Sequence, residues 1–463
     1  MRFQLTTRRI GLLAAAALTA ALYLSDLTGM GLVSKDEPRY ADIGRAMART
    51  GDWIDPRLWG QPWFEKPPLL YWLVGLGFKA GLGPELAPRL PVALLSLAFL
   101  VFFWFRLRSL WDERVANCST AILATTAGWL ALSHVAITDL PVSALFTAAV
   151  LLGVGDRRPI LAAAALGFAV LAKSLPPLIL FLPVLGMDYR RWRDWIRPAP
   201  ILIFLGVTVP WHAVVWMRNG YEFFRVLFLE QQLGRFFTPE RQHGQPWWYY
   251  LPVLLLLLFP WFPLLVVAAA RWRELWRDEK TRTLFCVVVF GMIFFSRSLN
   301  KLPGYILPLI PSICIFMGIG LARLSRPGFA LIFPVALLGA FPFALAVVPV
   351  AVATRLTAAP LPWTTLVAWI CVALTLGIFL NLVPSNGIVE VVFAFAGVAY
   401  LCFQFQVFPA IDRLASARPV WRERHLPCAP GDDRGLLYGL SYYSGSIVPP
   451  CDILDRTPKP VLP

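Results

Sequence analysis

The chain keeps carboxylates and cations in places where an apolar sequence has no simple reason to hold them. Asp36 and Glu37 follow directly on an apolar run, where a carboxylate has no topological purpose. Glu65 and Lys66 stand together in "FEKPP", where prolines fix the backbone and neighbouring aromatics exclude water. A carboxylate in such a setting gains electrostatic influence and a tunable basicity. Asp139 opens another apolar run in "HVAITDLP". Lys173 lies in "LAKSLPP", Arg235, Arg241 and His243 in "LGRFFTPERQHGQPWWYY", and Arg297, Lys301 and Tyr305 in "SRSLNKLPGYILP". Carboxylates and cations beside lipid suit one chemistry well, the transfer of a sugar from a lipid-linked phosphate. Lys and Arg neutralise the phosphate as it leaves. A carboxylate serves as base for the incoming hydroxyl, or orients it. In an inverting displacement the base stands opposite the leaving group, which requires groups from different loops.

These groups need a scaffold, and composition says which kind. The chain has 463 residues, 58% of them hydrophobic, with a mean hydropathy of +0.64. Soluble chains average nearer ~45–50% apolar, so the expectation is an all-α polytopic membrane protein. A membrane-crossing helix needs about 20 apolar residues. Runs near 10–33, 88–106, 115–133, 139–154, 159–173, 174–188, 198–217, 247–270, 283–297, 303–323, 328–352, 362–383 and 388–408 give thirteen spans. The runs between 139 and 188 are short, and Pro176 and Pro177 interrupt them.

The net charge of +15 falls mostly in short clusters between apolar runs, the pattern of membrane topology rather than of nucleic-acid binding. Arg2, Arg8 and Arg9 precede the first span, and basic groups follow the second, fourth, sixth, eighth and tenth. Those sides are then cytoplasmic, as is the N-terminus. The loop 34–87 and a tail over 409–463 face outward, with residues 1–408 forming the transmembrane unit. The start of the chain also has features of a signal peptide, but the apolar stretch runs on, so an uncleaved anchor is expected.

In the outer loop, Tyr40, Ile43 and Met47 share one helical side, as in a short helix lying in the interface. The plain alternative is an amphipathic loop with solvated charges. Five cysteines sit in apolar runs as small buried hydrophobes. Cys428 and Cys451 lie in polar sequence and could pair in an oxidising compartment.

The motifs "DEPRYADIGRAM", "GDWIDP", "FEKPPLLYW", "TDLP", "QHGQPWWYYLP" and "KLPGYILPLIP" resemble the bacterial lipid A 4-amino-4-deoxy-L-arabinose transferases. That family falls in the wider protein O-mannosyltransferase-like group with the GT-C fold. The resemblance covers roughly residues 1–320 and weakens in the last three spans and the tail. It implies a GT-C glycosyltransferase of the bacterial inner membrane with thirteen spans, interfacial helices in the first outer loop and a site facing the periplasm. It also implies an undecaprenyl-phosphate sugar donor and an acceptor such as lipid A or another envelope glycan. By motif position, Asp36 resembles the catalytic carboxylate and Asp139 the second acidic residue of the site. Lys66, with Tyr305 beside it, resembles the donor-phosphate site, to which Lys301 and Arg235 are expected to add charge. Glu65 and His243 resemble positions that hold a structural metal ion, zinc, in one family member. Two ligands fall short of the three or four of a usual site, and His243 taken alone reads as a hydrogen-bonded interfacial residue rather than a ligand. Relatives commonly read "TKG" where this chain has "AKS" at Ala172 to Ser174, so no special role is expected of Lys173.

Two rival functions fit less well. A transporter or flippase of lipid-linked sugars would show internal repeats and mid-span charges. A non-catalytic partner of another transferase would not need Asp36, Asp139 and Lys66 together.

Overall fold

The computed structural model describes residues 2–187, 193–234, 244–339, 388–424 and 433–451, together with 367, 371, 375, 426 and 428–430. Helices dominate, as backbone groups in lipid must be satisfied within the segment. α1 spans Arg2–Leu24 and α2 Asp36–Thr50. A hairpin follows, with β1 at Arg57–Leu58 and β2 at Gln61–Pro62. Then come α3 (Leu69–Lys79), α4 (Leu86–Leu110), α5 (Glu113–Ala124), α6 (Ala127–Ser133), α7 (Asp139–Gly153), α8 (Pro159–Lys173), α9 (Pro176–Met187) and α10 (Pro198–Phe224).

Four described helical stretches are individually long and apolar enough to cross a membrane: 86–110, 198–234, 303–322 and 388–415. A fifth forms if α5 and α6, bent by 61°, count as one span. The expected run 115–133 is therefore a broken one. The break has a local cause: the Thr125 and Thr126 hydroxyls donate back to the carbonyls of Ala121 and Ile122, which bends helices. The run 247–270 is split likewise, into helices Tyr250–Leu257 and Leu264–Ala270 around Pro260 and Pro263. α7, α8 and α9 are apolar but short; fifteen residues reach only about 22 Å. The first helix ends at Leu24, well before residue 33. The expected span 362–383 and most of 328–352 lie outside the described residues.

α2 buries Tyr40, Ile43 and Met47, the side anticipated from their spacing. Its first turn is held by a fully buried ion pair. Glu37 receives Arg89 of α4 at 2.7 and 2.8 Å and the amides of Val33 and Ala136 at 2.8 and 2.9 Å. Arg89 also donates to the carbonyls of Leu27, Met30 and Gly31. Every polar atom of the pair is matched, the condition under which a buried charge is tolerated.

The tail folds over this loop. Cys428 and Cys451 are joined by a disulfide, and helix Arg434–Ser444 lies against α2. There, Arg45 donates to the Tyr442 carbonyl at 2.9 Å and sits 4.3 Å from its ring centre. Arg418 reaches the carbonyls of Thr28 and Gly29, and the Gly31 amide donates to Asp412 at 2.7 Å.

Candidate active site

Of the expected site residues, the first along the chain is Asp36, in the first turn of α2, where the helix dipole favours a carboxylate. Its side chain is 30% exposed, enough to be reached from outside. Arg39, one turn on, pairs with Asp36 and also with Glu65 at 3.2 Å. Burial opposes the charge of Arg39, but Tyr40, Glu65 and Asp36 outweigh it and raise its pKa above the usual value. One guanidinium thus ties the first turn of α2 to the "FEKPP" segment.

Lys66, next along that segment, is buried and lines a cavity of about 320 Å³. Lys173, Gln231, Ser298 and Tyr305 share the wall, and Val142, Phe146, Leu180, Phe294 and Phe295 supply apolar surface. Asp139 stands at the head of α7 and accepts a 2.6 Å contact from the Lys173 ammonium. That ammonium lies 4.7 Å over the ring of Tyr305. Gly304 permits this approach, since a β-carbon there would fall 2.6 Å from Asp139 Oδ1. Two cations and a phenol therefore line one largely apolar cavity, and a carboxylate adjoins it through Lys173. Such a site can hold a phosphate on an apolar chain.

The structure groups the expected residues unevenly. Lys66 and Tyr305 share the cavity, and Asp139 adjoins it through Lys173. Asp36 is connected to it through Arg39 and Glu65. Lys301 is different: it is not among the residues that line the cavity, and its ammonium donates to the carbonyls of Ser298 and Gln245 at 2.6 and 2.9 Å. Burial lowers its pKa. Arg235, Arg241 and His243 lie outside the described residues. Glu65 faces Arg39, and among the described residues no group of three or more His, Cys, Asp or Glu could hold a metal ion.

Sequence reasoning underrated Lys173. Its signal was a cation at the end of an apolar helix, which is costly unless paired or used. Ser174, one of the two residues that depart from the "TKG" pattern, has φ +65° and ψ −132°, a backbone suited to glycine. The departure changes the side chain and leaves the glycine-like backbone, so Lys173 still enters the cavity.

Comparison with known proteins bears on the family and the fold. The family model for dolichyl-phosphate-mannose-protein mannosyltransferase matches residues 65–216. The chain is 32% identical over 330 residues to an undecaprenyl phosphate-α-4-amino-4-deoxy-L-arabinose arabinosyl transferase of Pseudomonas aeruginosa, covering 66% of this chain and 58% of that protein. The same identity, over 327 residues, relates it to the protein of that name from Pectobacterium carotovorum, with 66% and 58% coverage. The matched region thus spans less than two thirds of these relatives' length. The fold is that of ArnT from Cupriavidus metallidurans, solved bound to undecaprenyl phosphate: the TM-score is 0.75 at 22% identity, over 96% of this chain and 90% of that one. Motifs, fold and relatives converge, and the chain belongs to the aminoarabinose transferase-like, protein O-mannosyltransferase-like family of GT-C membrane proteins.

Proposed function

We propose that the protein is an inverting glycosyltransferase of the bacterial inner membrane. It moves a sugar from an undecaprenyl-phosphate-linked donor to a periplasmic acceptor such as lipid A or another envelope glycan. The observation that carries this reading is the largely apolar cavity whose lining includes Lys66, Lys173 and Tyr305. The relatives' names point to the same donor class and to an aminoarabinose cargo.

In the proposed reaction the donor's polyprenyl chain lies along the apolar wall and its phosphate faces Lys66 and Tyr305. Lys173 is partly neutralised by Asp139, so a phosphate approaching it competes with that carboxylate. Asp36 takes the proton of the acceptor group as its oxygen attacks the anomeric carbon. The carbon–oxygen bond to phosphate breaks, and undecaprenyl phosphate leaves against the cations, whose contacts tighten as charge develops. Arg39 orients Asp36 by holding it and Glu65 together. Lys301 supports the loop that carries Tyr305 rather than the phosphate itself. The thirteen-span topology, with 34–87 and the tail outside, belongs to this reading. Pairing of Cys428 with Cys451 supports an oxidising side for the tail.

The direct test combines purified protein, undecaprenyl-phosphate-linked aminoarabinose and lipid A in detergent. Mass spectrometry should show one added sugar per acceptor and release of undecaprenyl phosphate. Unchanged lipids in vitro, together with identical envelope lipids and glycans in cells with and without the protein, would refute the reading.

A further inference from the structure

The Asp36–Arg39–Glu65 cluster carries an aromatic feature that is not part of the donor cavity's lining. The hairpin joins Leu58 to Gln61 through Trp59 and Gly60, with φ of +53° and +80°. Positive φ at both central residues makes a type I′ turn, whose first position favours Asn, Asp or Gly. A bulky residue there is a genuine outlier. Such strain persists only where the surroundings over-determine it, and it clusters at ligand sites.

The ring that this turn presents meets the tail. Trp59 stacks on Tyr438 of helix Arg434–Ser444, with centres 5.4 Å apart and planes tilted by 34°. Tyr438 in turn lies 5.4 Å from the Arg39 guanidinium, and Trp63 lies 5.1 Å from it. All three rings are only half buried. Two separate parts of the chain thus build one aromatic wall around Arg39, the partner of the part-exposed carboxylate of Asp36. The disulfide-closed tail supplies one ring, and the strained hairpin another.

We propose that Trp59, Trp63 and Tyr438 form the acceptor subsite, receiving a saccharide ring of an acceptor glycolipid on the side of Asp36 away from the donor cavity. The inference rests on the transferase reading. A sugar ring offers a face of C–H groups that packs on an aromatic surface, while its hydroxyls remain free for Asp36 and Arg39. A ring stacked there brings an acceptor oxygen toward the base without competing for Lys66. It also makes the tail, through Tyr438, a determinant of which acceptor is used.

The backbone itself supplies a discriminating variant. Trp59→Gly removes the ring and suits the positive φ, so it should fold at least as well as the parent. Binding of two probes to purified protein is measured: undecaprenyl phosphate, and lipid A in detergent micelles. Trp59→Gly and Tyr438→Ala should each weaken lipid A binding by roughly tenfold, the scale of a lost aromatic contact. Both should leave undecaprenyl phosphate affinity within about twofold. Tyr438→Phe, which keeps the ring, should bind both probes like the parent. Unchanged lipid A affinity in Trp59→Gly overturns the inference, as does a parallel loss of both ligands with lowered thermal stability, which marks a packing role. A parent that binds undecaprenyl phosphate but not lipid A overturns the subsite and leaves the donor reading standing. A parent that binds neither overturns both.

Discussion

Ser174→Gly should stabilise the protein. Ser174 ends α8 at φ +65° and ψ −132°, and only 1% of it is exposed. An L-residue held in so sparsely populated a region costs about 1–3 kcal/mol. Its hydroxyl is buried without a hydrogen-bond partner among the described residues, a further cost of about 1–3 kcal/mol. Glycine removes both costs and returns about 0.5–1 kcal/mol through greater freedom of the unfolded chain. The expected net gain is about 2 kcal/mol. Spread over the unfolding entropy of a chain this long, that raises Tm by only about 2 °C, so replicate scans at one fixed rate are needed. Ser174→Ala keeps the β-carbon and loses the hydroxyl, and should give only part of the gain. Turnover should not fall in the glycine variant, because the contact between Lys173 and Asp139 does not involve the Ser174 side chain. A glycine variant no more stable than the parent would show that the backbone at this turn is not strained.

Further perturbations test the site and its frame. Lys66→Ala should weaken undecaprenyl phosphate binding by about 1.5–3 kcal/mol, measured on purified protein; unchanged affinity would remove Lys66 from the phosphate site. Asp36→Asn should lower turnover by about 10²-fold or more while donor binding survives; near-normal turnover would shift the base to Asp139. Arg89→Ala leaves Glu37 charged and buried, and should destabilise by about 3–5 kcal/mol in thermal unfolding. Single cysteines at the exposed positions Gln61 and Gly244 should react with an impermeant thiol reagent from outside, and one at Glu274 should not. Labelling at 274 alone would invert the topology.

Residue type and neighbourhood carried much of the site. Asp36, Lys66, Asp139 and Tyr305 stood out because charge or a phenol beside apolar runs and prolines needs a reason, and three of them meet in or beside one cavity. Partners were less legible. Lys301 carries the same charge as Lys66, yet two carbonyls hold its ammonium, and only the fold of the 298–302 loop decides that. Lys173 was discounted on the change at Ser174, although what matters there is the backbone angle, which letters do not record. Helix existence followed from apolar runs, whereas helix breaks followed from hydroxyls and prolines within them, as at Thr125 and Thr126. The aromatic wall joins positions 379 apart in sequence, beyond any local pattern.

The contacts that seat the tail have a consequence for biogenesis. Gly31 bonds Asp412, 381 residues later, and Arg418 closes on the carbonyls of Thr28 and Gly29. Gln404 meets Ser25 and the Leu22 carbonyl in the same way. The segment leading into α2 is among the earliest parts of the described chain to leave the ribosome, yet its partners are among the latest. Until they are translated and folded, the stretch that presents Asp36 lacks these restraints. Nascent or truncated chains therefore lack the contacts that seat the stretch presenting Asp36, and those contacts arrive only with synthesis of the tail.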